Sequence, residues 1–193
     1  MSIQIDNFIQ KISHKDTIVK LKYSPSGKFL ISADRSGEII IWSRGESKDV
    51  KLIRISYSPL TGIWFSEDEN WLISGYQGGN ILIYNFPEMN LEAEIRLKTD
   101  YLVEFQPVVA KEPVRDFWIR GVCFIPNSSK VVIGADDGTL EIWDYQLKHS
   151  KYIGRCPSGV RSIDVSPKGS KLAIGCEDGG IFLIPLHEFF QQK

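Results

Sequence analysis

Four stretches of this chain align with one another without a gap, and that repetition limits the possible folds more than any other feature of the sequence. They run from Ile18 to Trp42, Leu60 to Tyr84, Ile119 to Trp143 and Val160 to Ile184, each 25 residues long. One column holds glycine in all four (Gly37, Gly79, Gly138, Gly179), and the last column holds Trp42, Tyr84, Trp143 and Ile184. The units start 42, 59 and 41 residues apart, so roughly 17 extra residues lie between the second and the third. Units of this size cannot bury an apolar face alone and must stack on their neighbours.

Each unit reads as three short strands, and the spacer after it supplies a fourth. The first strand, such as Val160 to Val165, ends in a polar turn: Ser24-Pro25-Ser26-Gly27, Ser66-Glu67-Asp68-Glu69, Pro126-Asn127-Ser128-Ser129 or Ser166-Pro167-Lys168-Gly169. These residues favour turns for backbone reasons. The second strand is Phe29 to Ser32, Trp71 to Ser74, Val131 to Gly134 or Leu172 to Gly175. The hairpin after it places one residue in the left-handed region, which glycine enters without a Cβ clash, so Gly37, Gly79, Gly138 and Gly179 are structural turn glycines. The third strand, Ile39 to Trp42 and its counterparts, is apolar on both faces and must be covered on both sides. Fourth strands fit Val50 to Ile55, Leu91 to Leu97 and Tyr152 to Cys156; the second of these alternates as an outer strand with one wet face should. The expected fold is all-β: a β-propeller of four-stranded antiparallel blades. Its blade cores are 18–42, 60–84, 119–143 and 160–184, with an insertion at about 98–117, in a single domain spanning residues 1–193.

The units resemble the WD-repeat family. That family's blade ends in Trp-Asp, present outright as Trp143-Asp144 and in weakened form as Trp42-Ser43 and Tyr84-Asn85. The run from Gly134 to Asp144 is the closest match to the family pattern. The family's turn aspartate, six residues before the tryptophan column, is matched by Asp137 and Asp178. Its Gly-His dipeptide is missing, and only His14 sits where such a histidine belongs. The resemblance therefore implies that the family's network of His, Asp, Ser and Trp is incomplete in every blade. It covers residues 8–184.

Family propellers mostly carry seven or eight blades, and this chain has four. Phe8 to Ile12 reads as a fourth strand with no blade before it, and the last unit stops after its third strand at Ile184. The parts are those of a ring closed by lending a strand, as the family closes its rings. The expected assemblies are a self-completing ring, a homodimer of eight blades, or a partial propeller completed by a partner chain. An open end leaves a flat apolar sheet face that demands a partner. The tail from Pro185 is expected to form a short helix whose Phe189 and Phe190 cover part of that face.

Composition narrows the function. Lys and Arg number 23 against 24 Asp and Glu, for a net charge of −1. Chains that live on nucleic acid or anionic lipid carry a basic surplus, so no nucleic-acid or membrane partner is expected. The charge is uneven: +4 over residues 1–60, −5 over 61–97, and twelve of each sign in the rest. The start lacks the basic and apolar regions of a signal peptide. Cys123, Cys156 and Cys176 include no C-x-x-C pair, which fits a reducing compartment, cytoplasmic or nuclear. His14, His149 and His187 do not repeat, and each reads as a surface or loop residue. Asp136-Asp137 and Glu177-Asp178 read as turn carboxylates, because acids before a turn glycine recur in corresponding hairpins. No nucleophile–base pair or phosphate cradle is visible, so no enzyme activity, metal or cofactor is expected.

What remains is a non-catalytic scaffold or adaptor that binds other proteins. The alternatives are a sensor or regulatory segment of a larger enzyme or NTPase assembly and, further off, a phosphoinositide-binding propeller, for which Trp118-Ile119-Arg120-Gly121 is the nearest match. The insertion is the other candidate contact, with its apolar strip of Tyr101, Leu102, Val103, Phe105, Val108 and Val109. In the family, the connections from strand four to strand one and from strand two to strand three share the partner-binding face. The resemblance thus implies a protein-binding surface of Asp34, Arg35, Tyr76, Gln77, Trp118, Arg120 and Arg161, among which aromatic and Arg side chains most often carry interface energy.

Overall fold

The computed structural model describes residues 13–43, 50–54, 59–97 and 118–190. The expected closing strand at residues 8–12 and the insertion at 98–117 lie outside the described residues.

Fifteen strands and one helical turn are present among them. The first sheet is β1 (Ile18–Tyr23), β2 (Phe29–Asp34), β3 (Glu38–Ser43) and β4 (Val50–Arg54). The second is β5 (Leu60–Phe65), β6 (Trp71–Tyr76), β7 (Asn80–Asn85) and β8 (Leu91–Arg96). The third is β9 (Ile119–Phe124), β10 (Lys130–Ala135), β11 (Thr139–Asp144) and β12 (His149–Arg155). The fourth is β13 (Val160–Val165), β14 (Lys171–Cys176) and β15 (Ile181–Pro185), followed by α1 (His187–Phe190). Every sheet is an antiparallel meander with its strands in chain order, so each is a propeller blade.

The turns recur as the repeats do. The residue after each first strand donates its N–H back across the turn, as in Ser24 to Phe29 O at 2.9 Å and Ser166 to Lys171 O at 2.9 Å. The hairpin glycines have φ of +88° at Gly37, +78° at Gly79, +93° at Gly138 and +85° at Gly179. Asp144 of the Trp-Asp pair caps the next turn: its Oδ1 accepts from the N–H groups of Gln146 and Leu147, each at 3.1 Å.

One packing rule joins the blades. A strand's side chains alternate between two faces, so each blade has a forward and a backward face. Ile31, Ala33, Ile39 and Ile41 on the forward face of the first blade pack against Leu72, Tyr76, Leu82 and Tyr84 on the backward face of the second. Ile73, Ile81 and Ile83 then pack against Val131, Ile133 and Ala135. Val132, Leu140 and Ile142 pack in turn against Leu172, Ile174 and Cys176. The same columns meet at all three junctions. Fully burying an isoleucine contributes roughly 1.5–3 kcal/mol, so these junctions hold the arc together.

Among the described residues, no blade covers the two outermost faces. On the backward side of the first blade, Leu21 is 60% exposed and Tyr23 64%. On the forward side of the fourth, Ile181 is 77% exposed and Leu183 69%. The helical turn does form at His187–Phe190, but it does not cover the open face as expected. Phe189 packs into the core between blades three and four, and its carbonyl accepts from Lys151 Nζ at 2.8 Å. Phe190 lies near Lys130, whose Nζ is 5.8 Å from the ring centroid.

Candidate functional site on the loop face

Every first strand begins with a β-bulge at the same column. Pairing skips Val19, Thr61, Arg120 and Arg161, each of which stands unpaired between two registered neighbours. A bulge bends the strand and re-aims a side chain. Each bulge is braced by one backbone hydrogen bond from the hairpin between the second and third strands. The donors are Arg35 to Thr17 O at 2.9 Å, Gln77 to Pro59 O at 2.9 Å, Asp136 to Trp118 O at 3.0 Å and Glu177 to Gly159 O at 2.8 Å. The approach to each blade and its hairpin are therefore held together on one rim.

Side chains extend this bracing in the last two blades. The Trp118 N–H donates to Asp136 Oδ1 at 2.7 Å, and the Arg120 guanidinium lies 4.7 Å from the Trp118 ring centroid. Arg120 Nη2 is 3.5 Å from Asp136 Oδ2. In the same columns of the fourth blade, Arg161 Nη2 is 2.5 Å from Glu177 Oε1, with both side chains about half exposed. Gln77 pairs with Trp118 in an isolated bridge that ties blade two to blade three. Arg35 is exposed; Gln77, Trp118 and Arg120 are half-buried.

Two of the expected surface residues are not at the surface. Asp34 and Tyr76 are both 0% exposed, and neither side chain is open to a partner. They share a column with Ala135 and Cys176, which are buried as well. This column is the last backward-facing position of the second strand; in blades two to four it meets the preceding blade, and in blade one the His14 side chain lies against it.

Asp34 instead belongs to a buried network, and here the structure corrects two further expectations. His14 is no surface residue: its side chain is 4% exposed. Its Nε2 lies 2.7 Å from Ser32 Oγ, and that oxygen accepts from Trp42 Nε1 at 3.3 Å. Its Nδ1 lies 3.3 Å from Asp34 Oδ2 and 3.5 Å from Glu38 Oε2. The four residue types of that network are thus brought together in blade one, although the approach of His14 Nδ1 to Asp34 Oδ2 does not complete a hydrogen bond. The carboxylate comes from two residues before the column of Asp137 and Asp178, where this blade carries Ser36. Asp34 Oδ1 accepts from Ser36 Oγ at 2.7 Å and from the Glu38 N–H at 3.0 Å. Burial pushes the Asp34 carboxyl up, but those hydrogen bonds outweigh it and hold the group below its usual range.

The cysteines sit in the blades. Burial raises the Cys123 thiol to about 11, and its Sγ–H points to Asp164 Oδ1 at 3.8 Å. Burial and the neighbouring Cys176 raise Cys156 to about 12. Neither thiol is primed as a nucleophile. No helix among the described residues is long and apolar enough to cross a membrane.

Known proteins repeat this architecture. The computationally designed Ika4 protein superposes with a TM-score of 0.70 at 17% identity, over 96% of this chain and 99% of that one, and so shares its fold. Polyadenylation factor subunit 2 of Candida albicans is 26% identical over 131 residues, 68% of this chain and 21% of that protein. Pre-rRNA-processing protein crb3/ipi3 of Schizosaccharomyces pombe is 23% identical over 186 residues, 92% of this chain and 40% of the relative. The COMPASS component SWD1 of Saccharomyces cerevisiae is 22% identical over 176 residues, 86% of this chain and 39% of its own length. The chain thus spans between a fifth and two fifths of these relatives. The family model described as "WD domain, G-beta repeat" matches residues 7–43, 50–85, 112–144 and 148–184, one match for each sheet. With four repeats in register, four sheets of the matching topology and these matches over most of its length, the chain belongs to the WD40 family.

Proposed function

We propose that this chain is a non-catalytic protein-binding scaffold whose partner sits on the loop face, against Arg35, Gln77, Trp118, Arg120 and Arg161. The observation that carries this reading is the bulge repeated at one column of all four blades, each braced by the same hairpin hydrogen bond. A rim held in this way presents its side chains at little ordering cost when a partner arrives. Trp118 and Arg120 are of the types that most often anchor interfaces. The relatives named for a polyadenylation factor, pre-rRNA processing and COMPASS support a role within an assembly. We place that role inside the cell, in the cytoplasm or nucleus, and read residues 1–193 as one propeller domain.

The two open faces favour a companion reading: further blades, from a second copy or another chain, complete the propeller. The forward face of blade four offers Ile181 and Leu183 in the columns that Leu140 and Ile142 use at the preceding junction.

Quantitative affinity capture tests the scaffold. Arg120→Ala with Arg161→Ala is expected to lose partners that the parent retains, at nearly unchanged melting temperature. Full retention of every partner would refute the loop face and move attention to residues 98–117. Light scattering tests the companion reading: a dimer or a stable hetero-complex supports completed blades, and a monomer that binds nothing opposes it.

A further inference from the structure

The network in blade one holds more acid than its family role needs. Two carboxylates face one imidazole nitrogen: Asp34 Oδ2 at 3.3 Å and Glu38 Oε2 at 3.5 Å from His14 Nδ1. All three side chains are at least nine-tenths buried, with exposures of 4%, 0% and 4% for His14, Asp34 and Glu38. His14 Nδ1 and Asp34 Oδ2 are close, yet neither completes a hydrogen bond, because they are not aligned on each other. Buried polar atoms left in that state are rare and costly. The three donor atoms lie within 4.8 Å of one another.

We propose that His14 Nδ1, Asp34 Oδ2 and Glu38 Oε2 form a binding site for one divalent transition-metal ion of the zinc type. Nitrogen and oxygen donors at about 2.0–2.2 Å from a tetrahedral ion stand roughly 3.3–3.5 Å apart along the edges, and the two distances from His14 Nδ1, 3.3 and 3.5 Å, match that spacing. Two carboxylates and a neutral imidazole balance the charge of such an ion, and the nitrogen donor disfavours calcium and magnesium. The far side of the ring is already arranged for the task. Nε2 lies 2.7 Å from Ser32 Oγ, so an ion on Nδ1 would move the ring proton to Nε2, where that hydroxyl oxygen is placed to accept it. Three protein donors leave a fourth position for water. Such an ion clamps the segment leading into blade one, through His14, to that blade's own hairpin, through Asp34 and Glu38.

The tests use the full chain and two probes, Zn2+ and Co2+. Competition with a chromophoric chelator at neutral pH is expected to show one Zn2+ per chain. Zn2+ at a hundredfold excess over its dissociation constant raises the melting temperature by about 5 °C, reversed by EDTA. Co2+ shows a tetrahedral visible spectrum with no thiolate charge-transfer band, which separates this site from one built on Cys123, Cys156 and Cys176. Glu38→Gln weakens Zn2+ binding by at least about tenfold while its melt in EDTA stays close to the parent's. The native chain's failure to hold one equivalent, a thiolate band, or unweakened binding by folded Glu38→Gln each overturns the site. The Co2+ spectrum decides the matter should Glu38→Gln not fold.

Discussion

Gly121 lies so close to Ile163 that an ideal Cβ on the glycine would stand 2.7 Å from Ile163 Cγ1 and 3.1 Å from its backbone nitrogen. The inner strands of blades three and four approach at this point, and only a residue without a side chain fits between them. Gly121→Ala is expected to destabilise the chain by about 1–3 kcal/mol, through overpacking at one junction. Chemical denaturation checks this, and an unchanged midpoint would show that the junction yields.

Gly138 and Gly179 occupy the same column with similar positive φ, yet their surroundings differ. A Cβ on Gly138 would meet the Cys156 carbonyl at 2.7 Å, whereas one on Gly179 meets nothing within 4 Å. Gly179→Asn should therefore cost at most about 1 kcal/mol, since Asn tolerates the left-handed region. Gly138→Asn should cost at least 1 kcal/mol or so more, because it adds a clash with backbone. Equal losses in paired thermal melts would contradict this account.

The Ser32 hydroxyl joins two side chains, His14 and Trp42. Ser32→Ala strands a buried imidazole nitrogen and a half-buried indole N–H, at a cost of about 1–3 kcal/mol. The double variant with Trp42→Phe should lose less than the sum of the two singles, because the second change removes a donor already stranded. Strict additivity in that cycle counts against the network.

The thiols set a pH limit. Cys123 and Cys156 are raised from the ordinary value of 9.0 to about 11 and about 12. A group whose folded value lies above its unfolded one contributes stability that is complete below the unfolded value. That contribution fades as pH rises through the folded one. Stability should therefore decline above about pH 9 and towards 12. At pH 8, alkylation of Cys123 in the native chain should run on the order of a hundredfold slower than in denaturant. Equal rates in the two conditions would refute the assignment.

The exposed pair of Arg161 and Glu177 illustrates how little a rim contact need hold the fold. Arg161→Ala is expected to shift stability by no more than about 1 kcal/mol, since solvent screens a pair this open. A larger loss by denaturant titration would make Arg161 a structural residue rather than one available to a partner.

Much of this architecture is readable from the repeats. The four ungapped units coincide with the strand triplets, because alternating apolar columns and turn residues are local signals. The buried column of Asp34 and Tyr76 was legible too: Ala135 and Cys176, aligned with them, are small and apolar. A hairpin position read from one blade suggests exposure, and the column read across four suggests burial. The network around His14 was harder to see. Its histidine lies outside the aligned units without the usual glycine before it, and its aspartate stands two residues from the expected column. Only the folded backbone brings residues 14, 34 and 38 together. The bulges at Arg120 and Arg161 leave no mark on the residue pattern, since an unpaired residue and a paired one look alike in sequence.

The uniform forward-to-backward stacking also bears on how such a molecule can change over generations. Every internal blade presents one face to its successor and the other to its predecessor, using the same columns each time. A tandem duplication of about 42 residues would therefore introduce a blade already matched on both sides, and a deletion of the same length would leave two flanking blades that fit each other. Length in this architecture is a quantity that single genetic events can alter in whole steps, with no new kind of contact to invent. The loop rim, whose Arg, Trp and Gln differ from blade to blade, is free to diverge after each step.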